Sequence, residues 1–500
     1  MSITFLTHML LSSVGMFSRG KCDVKYKRLE SESEEKPSKK NICALKIFYL
    51  FSLLFLFIFI VYIYIQDYFK QAPYAKPKDS GLPTHPSLLT NLPILQTPNI
   101  STSSSPPSAK ACGVQVKDGP VIKVSHLNTY VIGSYMEHRF DEKQIKTIAI
   151  VRRNDQATFS CVICCDGTTV TLSAQYSIHS DHFNFNYGTA TITCTIKSTC
   201  LTPTHVAITA RDVSGSVTSF QPIMNRDVLT TFPYEFTICI SVMYDYKSVL
   251  NLVQSMEMFR LLGAQRVVIY KTNCDSDTQK VLDYYENKGF VEIIPWTIKK
   301  HIKVSRGWNI NKSPGQLQYF GQLPALNDCV YRYMYQSRYV ALHDLDELIL
   351  PFKVKTWTEL LPELETKYGS DVGFEFENNQ FPFTAKAHAD YEQDKWKNIQ
   401  GVNIFNYIDR VPNLPNVFNN YKIIVNPRLV LKTTVHGLLE SVNGRSTVWV
   451  NNAIARMYHF KNFTYPSNTN LVRDDHLWDY ANDLIPAVSK VLQACGLIEA

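Results

Sequence analysis

The chain has 500 residues, with 51 Lys and Arg against 44 Asp and Glu, so its net charge of +7 is small for its length. The basic residues are scattered rather than striped, which excludes the electrostatic footprint of a nucleic-acid partner. At about 150 residues per domain, two or three domains are expected.

Residues 1–46 read as a cytosolic tail whose start, Met1 to Phe17, is mildly apolar but too mixed to span a membrane. Ile47 to Ile65 then run without a charge and are almost entirely Phe, Leu, Ile, Tyr and Val. As a helix this run rises about 28 Å, enough to cross the hydrocarbon core of a bilayer. It is longer than a signal-peptide core and lacks a small-residue cleavage site. Lys36, Lys39, Lys40 and Lys46 precede it closely, so the positive-inside bias predicts a single-pass type II anchor with everything after Ile65 across the membrane. Ten of the 12 cysteines follow the span, an even number compatible with disulfides in an oxidising compartment. Asn99, Asn311 and Asn462 each begin an Asn-x-Ser/Thr sequon.

Residues 66–111 are rich in Pro, Ser and Thr and read as a stalk that cannot bury a core. Residues 112–230 alternate Thr or Ser with apolar residues, as in Thr189-Ala190-Thr191-Ile192-Thr193. This period of two predicts antiparallel strands and a small β-rich domain, a sandwich by expectation. Cys161, Cys164 and Cys165 lack a second pair at zinc-finger spacing and are expected in disulfides.

From Tyr234 the rhythm changes to Phe236–Met243 (strand), Lys247–Leu262 (helix, stopped by Gly263), Arg266–Tyr270 (strand), Thr278–Lys288 (helix, stopped by Gly289) and Phe290–Ile294 (strand). Strand, helix, strand, helix, strand with short links predicts a parallel Rossmann-like half in residues 231–500. No Gly-x-Gly-x-x-Gly follows the first strand, so a diphosphate bound here would need a metal rather than a glycine cradle. A helix over Gln322–Ser337 leads into Tyr339-Val340-Ala341-Leu342-His343-Asp344-Leu345-Asp346-Glu347, an apolar strand ending in acids. If the chain stays extended, Asp344 and Asp346 point to one side and converge on one hard cation, Mn²⁺ or Mg²⁺. Glu347 would point the other way from Asp346, so a structural role such as pairing with a Lys or Arg is expected at least as much as metal ligation.

Arg260-Leu261-Leu262-Gly263-Ala264-Gln265, Asn327-Asp328-Cys329, Asp344-Leu345-Asp346-Glu347, Asn426-Pro427-Arg428, Val435-His436-Gly437 and Met457-Tyr458-His459-Phe460 occur in the order that resembles glycosyltransferase family 92. The resemblance covers about Tyr234 to Phe463. It departs slightly at His459-Phe460-Lys461, where His-Tyr-Arg is the family's pattern. It implies a type II Golgi membrane enzyme with a GT-A (Rossmann-like) α/β fold. Such an enzyme moves a hexose, galactose from UDP-galactose, onto a glycan acceptor such as an N-glycan, with inversion. Asp344 and Asp346 are then the metal and diphosphate site, with His459 and, second, His436 as further metal ligands. Asn327 and Asp328 are expected to contact donor hydroxyls, and Asp245 the uracil or ribose. A catalytic base is sought among Glu375, Glu377, Asp390, Asp394, Glu440, Asp474 and Asp475, among which the sequence does not choose. The competing expectation is a catalytically inactive, membrane-tethered glycan-binding protein on the same scaffold.

Overall fold

The computed structural model describes residues 110–117, 119–196, 200, 202–211, 217, 219–391 and 393–499. The expected span 47–65, the tail 1–46 and Asn99 lie outside them, and among the described residues no helix is long and apolar enough to cross a membrane. The stalk's last residues, Lys110–Ala111, already pair with Val114–Gln115, and Cys112 is joined to Cys164.

The β-rich segment forms one eight-stranded sheet, from Ile122–Lys123 to Gln221–Met224. Its last strand pairs both with Pro203–Ala210 and, in parallel, with Thr129–Glu137. The sheet therefore closes on itself as a barrel instead of stacking two layers as a sandwich. Alternation puts Val131, Ile145, Ala149, Phe159, Ile163 and Ile192 in one buried cluster, which the Cys161–Cys194 and Cys165–Cys200 disulfides cross or border. Cys274 and Cys495 carry free thiols.

The second body is built on a seven-stranded sheet. Its strands are β1 (Tyr234–Met243), β2 (Arg266–Lys271), β3 (Val291–Pro295) and β4 (Ser337–His343). Three more belong to it after β5 (Glu347–Pro351) and β7 (Asn378–Pro382): β6 (Gly373–Phe376), β8 (Lys422–Val425) and β9 (Thr447–Trp449). The order is β3-β2-β1-β4-β8-β6-β9. The first four run parallel, β8 runs antiparallel to β4 and β6, and β9 is parallel to β6. β5 and β7 flank β10 (Ala455–Lys461) in a separate three-stranded sheet.

Helices α1 (Val249–Leu261) and α2 (Ser276–Asn287) are the crossovers between β1, β2 and β3. They stop at Gly263 and Gly289, whose φ of 101° and 70° a side chain would strain. With α4 (Trp357–Tyr368) and α5 (Ala481–Ala494) they cover one face of the sheet. Fully buried Leu252, Val253, Met256 and Phe259 of α1 contribute about 1.5–3 kcal/mol each relative to exposure. The other face packs against the barrel, with α3 (Gln322–Arg332) between them. A disulfide from Cys239 on β1 to Cys329 on α3 ties that helix to the sheet.

Candidate active site

All four parallel strands deliver their carboxyl ends to one edge, where open α/β sheets bind ligands. A cavity of about 700 Å³ opens there, lined by Ser241, Tyr244–Ser248, Asn251, Tyr319, Gln322, Asp344–Asp346, Phe383 and His459–Asn462. Left-handed backbone concentrates at its rim: Asp245, Tyr319 and Phe320 have φ of 45°, 34° and 53°, a conformation held only where the surroundings enforce it. The enforcing contacts are the stack of Tyr244 on Phe320, 3.9 Å between centroids, and the ion pair of Arg306 with Asp245 at 2.9 Å.

The acidic stretch is not one extended strand. β4 ends at His343, β5 starts at Glu347 in the other sheet, and Asp344–Asp346 form the turn between. Leu345 enters the helix-side core, and its carbonyl accepts from Ser255, so the two acids are turned to different partners. Asp344 accepts from Ser241 Oγ at 3.2 Å and from Lys422 Nζ at 2.8 Å. Burial alone would raise its pKa, but the Lys422 ammonium outweighs this and holds it at about 2. Asp346 keeps a side chain 44% exposed to the cavity, with Oδ2 3.3 Å from His459 Nε2. Burial works against the charged imidazole, and Asp346 overcomes it, raising the His459 pKa.

Beneath them Glu347 is fully buried. It accepts from the Asp344 backbone N–H at 3.0 Å and pairs with Lys422 at 3.4 Å. Burial pushes its pKa to about 7 against the pull of Lys422. Register explains why His459 arrives here, since β10 pairs with β5 so that Glu347 lies opposite His459. Lys422, 2% exposed, arrives because β8 runs antiparallel to β4 and begins where β4 ends.

His436 makes no hydrogen bond to the acids among the described residues, although its ring lies within electrostatic reach of Asp344. Its Nδ1 sits 2.8 Å from the Tyr421 carbonyl, so that nitrogen carries the proton. Burial and then Lys422 lower its pKa to about 4, keeping the ring neutral. Among the described residues no three His, Cys, Asp or Glu side chains converge at metal-ligand spacing. The donor chemistry nevertheless fits a hard divalent ion: an exposed carboxylate on Asp346 faces an imidazole nitrogen of His459, and substrate oxygens could supply the rest.

Asn327 and Asp328 do not reach the cavity, which corrects the expected donor contact. Asn327, 1% exposed, is held by the Leu323 carbonyl and by the Thr433 backbone on both its amide atoms. Asp328, fully buried, accepts from Tyr135 of the barrel at 2.5 Å, Tyr270 at 2.6 Å and Arg332 at 2.9 Å. Barrel residue Gly133 lies so close that a Cβ there would stand 2.4 Å from an Asp328 carboxylate oxygen. These polar residues pin α3 between the barrel and the sheet.

Asp245 lines the cavity at the β1 end, and Asn462 lines its opposite lip; Asn311 is exposed on the loop after β3. None of the seven base candidates lines the cavity. Asp474 is locked by Arg410, Arg456 and Tyr458. Glu440 pairs with Lys432, Asp394 with Lys397 and Asp475 with Arg473. Asp390 is exposed elsewhere. Glu377 accepts from Asn379 and Asn452, and Glu375 from Thr447. The residues that sequence reasoning missed are Lys422, Ser241, Gln322, Lys247 and Lys461. For Lys461 the signal was present, a cation two residues beyond His459.

The sequence profile described as glycosyltransferase family 92 matches residues 234–487, the body that carries this cavity. One glycosyltransferase family 92 protein of Caenorhabditis elegans is 29% identical over 126 residues, 25% of this chain and 24% of that protein. A second from the same organism is 22% identical over 145 residues, 27% of this chain and 28% of that protein. The beta-1,4-galactosyltransferase galt-1 of Caenorhabditis elegans is 25% identical over 151 residues, 28% of this chain and 32% of that protein. The matched stretch thus spans about a quarter to a third of these relatives' length. With the profile covering half of its residues, the chain belongs to glycosyltransferase family 92.

Proposed function

We propose that the cavity binds a nucleotide-sugar diphosphate and that the protein transfers the sugar, a hexose such as galactose from UDP-galactose, to a glycan acceptor with inversion. Family membership supports glycosyl transfer in general, and the galactosyltransferase name of one distant relative favours galactose. The parallel half-sheet with its ligand edge suits a GT-A scaffold. A type II Golgi anchor and a lumenal body complete the proposal, with the four disulfides as support.

The observation that carries the reading is the exposed Asp346 carboxylate facing His459, beside Asp344 held ionised by Lys422, at the carboxyl edge of parallel strands. Asp346 and His459 would hold Mn²⁺ or Mg²⁺, which when bound neutralises charge on the leaving diphosphate. Lys247 and Lys461, both lining the cavity, supply cations for phosphate oxygens. Asp245 and the Tyr244–Phe320 stack border the place of the base and ribose. Ser241, bonded to Asp344 and in turn to Gln322 at 3.0 Å, fixes the acid's orientation. In transfer, the acceptor hydroxyl oxygen bonds to the anomeric carbon as that carbon's bond to the β-phosphate oxygen breaks; UDP leaves with the bonding electron pair, and the hydroxyl's proton passes to water in the open cavity, since none of the candidate bases lines it.

One observation favours the alternative of an inactive glycan-binding protein: Asp344 already has its counter-ion in Lys422. Calorimetric titration of the secreted body, residues 112–500 expressed without the expected anchor, with UDP, with and without Mn²⁺, and a UDP-release assay across UDP-sugars separate the two. Mn²⁺-stimulated binding with turnover supports the enzyme, and binding of neither UDP nor any UDP-sugar refutes it.

A further inference from the structure

The sheet divides the cavity's edge into two halves about β4. On one side, β1 and β2 lead two residues on into Asp245 and Asn273, whose side chains are bonded to each other at 2.7 Å. On the other, β8 begins at Lys422 and β6 ends opposite it at Phe376. β9 ends at Trp449 opposite Glu375, so this half also reaches the ligand edge. Here an aromatic cluster stands in the open. Phe418 is 69% and Trp449 43% exposed, and both pack on Tyr421, with centroids 6.2 and 5.5 Å away. His436 lies 6.1 Å from Phe418 and 6.3 Å from Tyr421. Large rings seldom stay exposed together without a partner.

We propose that this shelf of Phe418, Tyr421, Trp449 and His436 is the acceptor subsite, and that its occupant is a carbohydrate. The inference rests on the glycosyltransferase reading above.

The chemistry suits a sugar. Aromatic faces take the apolar C–H faces of a pyranose, and nearby polar groups take its hydroxyls. With Nδ1–H spent on the Tyr421 carbonyl, His436 has Nε2 free to accept. Glu375 lies on the same face as Tyr421 and Trp449, since it pairs with Ile423 and Trp449 in the ladder and strand residues two apart share a face.

The position suits an acceptor rather than a remote glycan. Tyr421 immediately precedes Lys422, which touches Asp344, and the His436 ring feels the charges of Lys422, Asp344 and His459. The loop that carries Phe418 is also fixed to the strand beside His459. Asn378 N–H donates to Asn419 Oδ1 at 2.7 Å, Asn419 Nδ2 to the Asn378 carbonyl at 3.0 Å, and Val411 N–H to the Gln380 carbonyl at 2.9 Å. Gln380 is the residue paired with His459. The other exposed tryptophan, Trp308, belongs to the Asp245 half through its neighbour Arg306, where the nucleotide is placed.

The test compares the wild-type full chain in detergent with its Phe418→Ala/Trp449→Ala double variant, using UDP-galactose, Mn²⁺ and a mixture of free oligosaccharides released from a glycoprotein. UDP affinity is measured by calorimetry and transfer by mass spectrometry. The double variant is expected to keep UDP affinity within twofold and to lose more than tenfold of transfer, mostly through a raised acceptor KM, with Trp449→Phe recovering most of the loss. Transfer unchanged within twofold, or UDP affinity falling in parallel with it, would overturn the assignment. A wild type that neither binds nor turns over UDP-galactose would instead sink the glycosyltransferase reading.

Discussion

Lys422→Met is the most informative perturbation of the site. The ammonium lies 2.8 Å from Asp344 and 3.4 Å from Glu347, with its side chain 2% exposed. Above pH 7, where Glu347 too is ionised, these two attractions amount to about 6 and about 5 kcal/mol at an effective dielectric near 20, most of which offsets the desolvation of three ions. Removing one partner of such a buried cluster leaves uncompensated charge and costs about 3–5 kcal/mol. At roughly 2–4 °C per kcal/mol for a large domain, the melting temperature should fall on the order of 10 °C. Methionine keeps most of the stem's volume, so the loss reports charge rather than a cavity. The double variant Lys422→Met/Glu347→Gln removes the more deeply buried orphan and should recover at least half of the loss. Differential scanning calorimetry of the secreted body decides. A single variant that melts within about 2 °C of wild type, or a double variant no better than the single, would refute the view that Lys422 neutralises both acids.

Asp346→Asn should cut UDP-sugar turnover by about a hundredfold or more while moving the melting temperature by less than about 2 °C, because Asp346 is 44% exposed and its partner is a single imidazole; a large loss of stability would make it structural. Asp344→Asn should be destabilising as well as inactivating, since it strips Lys422 of its closest counter-ion; equal melting temperatures for the two variants would contradict the geometry. Mn²⁺ alone should bind weakly to the two donors of Asp346 and His459, and UDP should tighten it at least tenfold with reciprocal tightening of UDP; Mn²⁺ binding that is indifferent to UDP in calorimetry would argue against a shared site. Asp181, at the barrel's contact with Thr434, has its pKa pushed up by burial from 3.8 to about 6. A raised carboxyl contributes stability that is full below pH 3.8 and lost as pH rises through about 6. Asp181→Asn should therefore melt higher than wild type at pH 7 and equally at pH 4, and a gap constant with pH would refute this.

The parallel half was legible because each strand buried on both faces is a continuous apolar run, and each crossover helix ends at a glycine that the chain needs for its left-handed turn. The same signal misled at the acids. Leu345 and Leu348–Leu350 continue the apolar run across Asp344–Asp346, so nothing local marks the point where the chain leaves one sheet for another. The break falls where Leu345 packs into the helix-side core. Once the break exists, Asp344 and Asp346 are not a pair acting on one face but two acids with separate partners, 78 and 113 residues downstream. His459 could be anticipated as the end of an apolar strand. Lys422 could not, because a lysine opening the run Ile423–Val425 reads as a solvent-exposed strand end until antiparallel pairing buries it beside β4. Asn327 and Asp328 fail for the complementary reason: polarity on a helix marks a need for partners without saying whether ligand or protein supplies them. Here Gly133 lets a barrel strand approach closely enough that protein does. The carboxylate that could serve a ligand is therefore the one left without a buried cation, which shifts the weight of the proposed chemistry from the Asp344–Asp346 pair to Asp346 and His459.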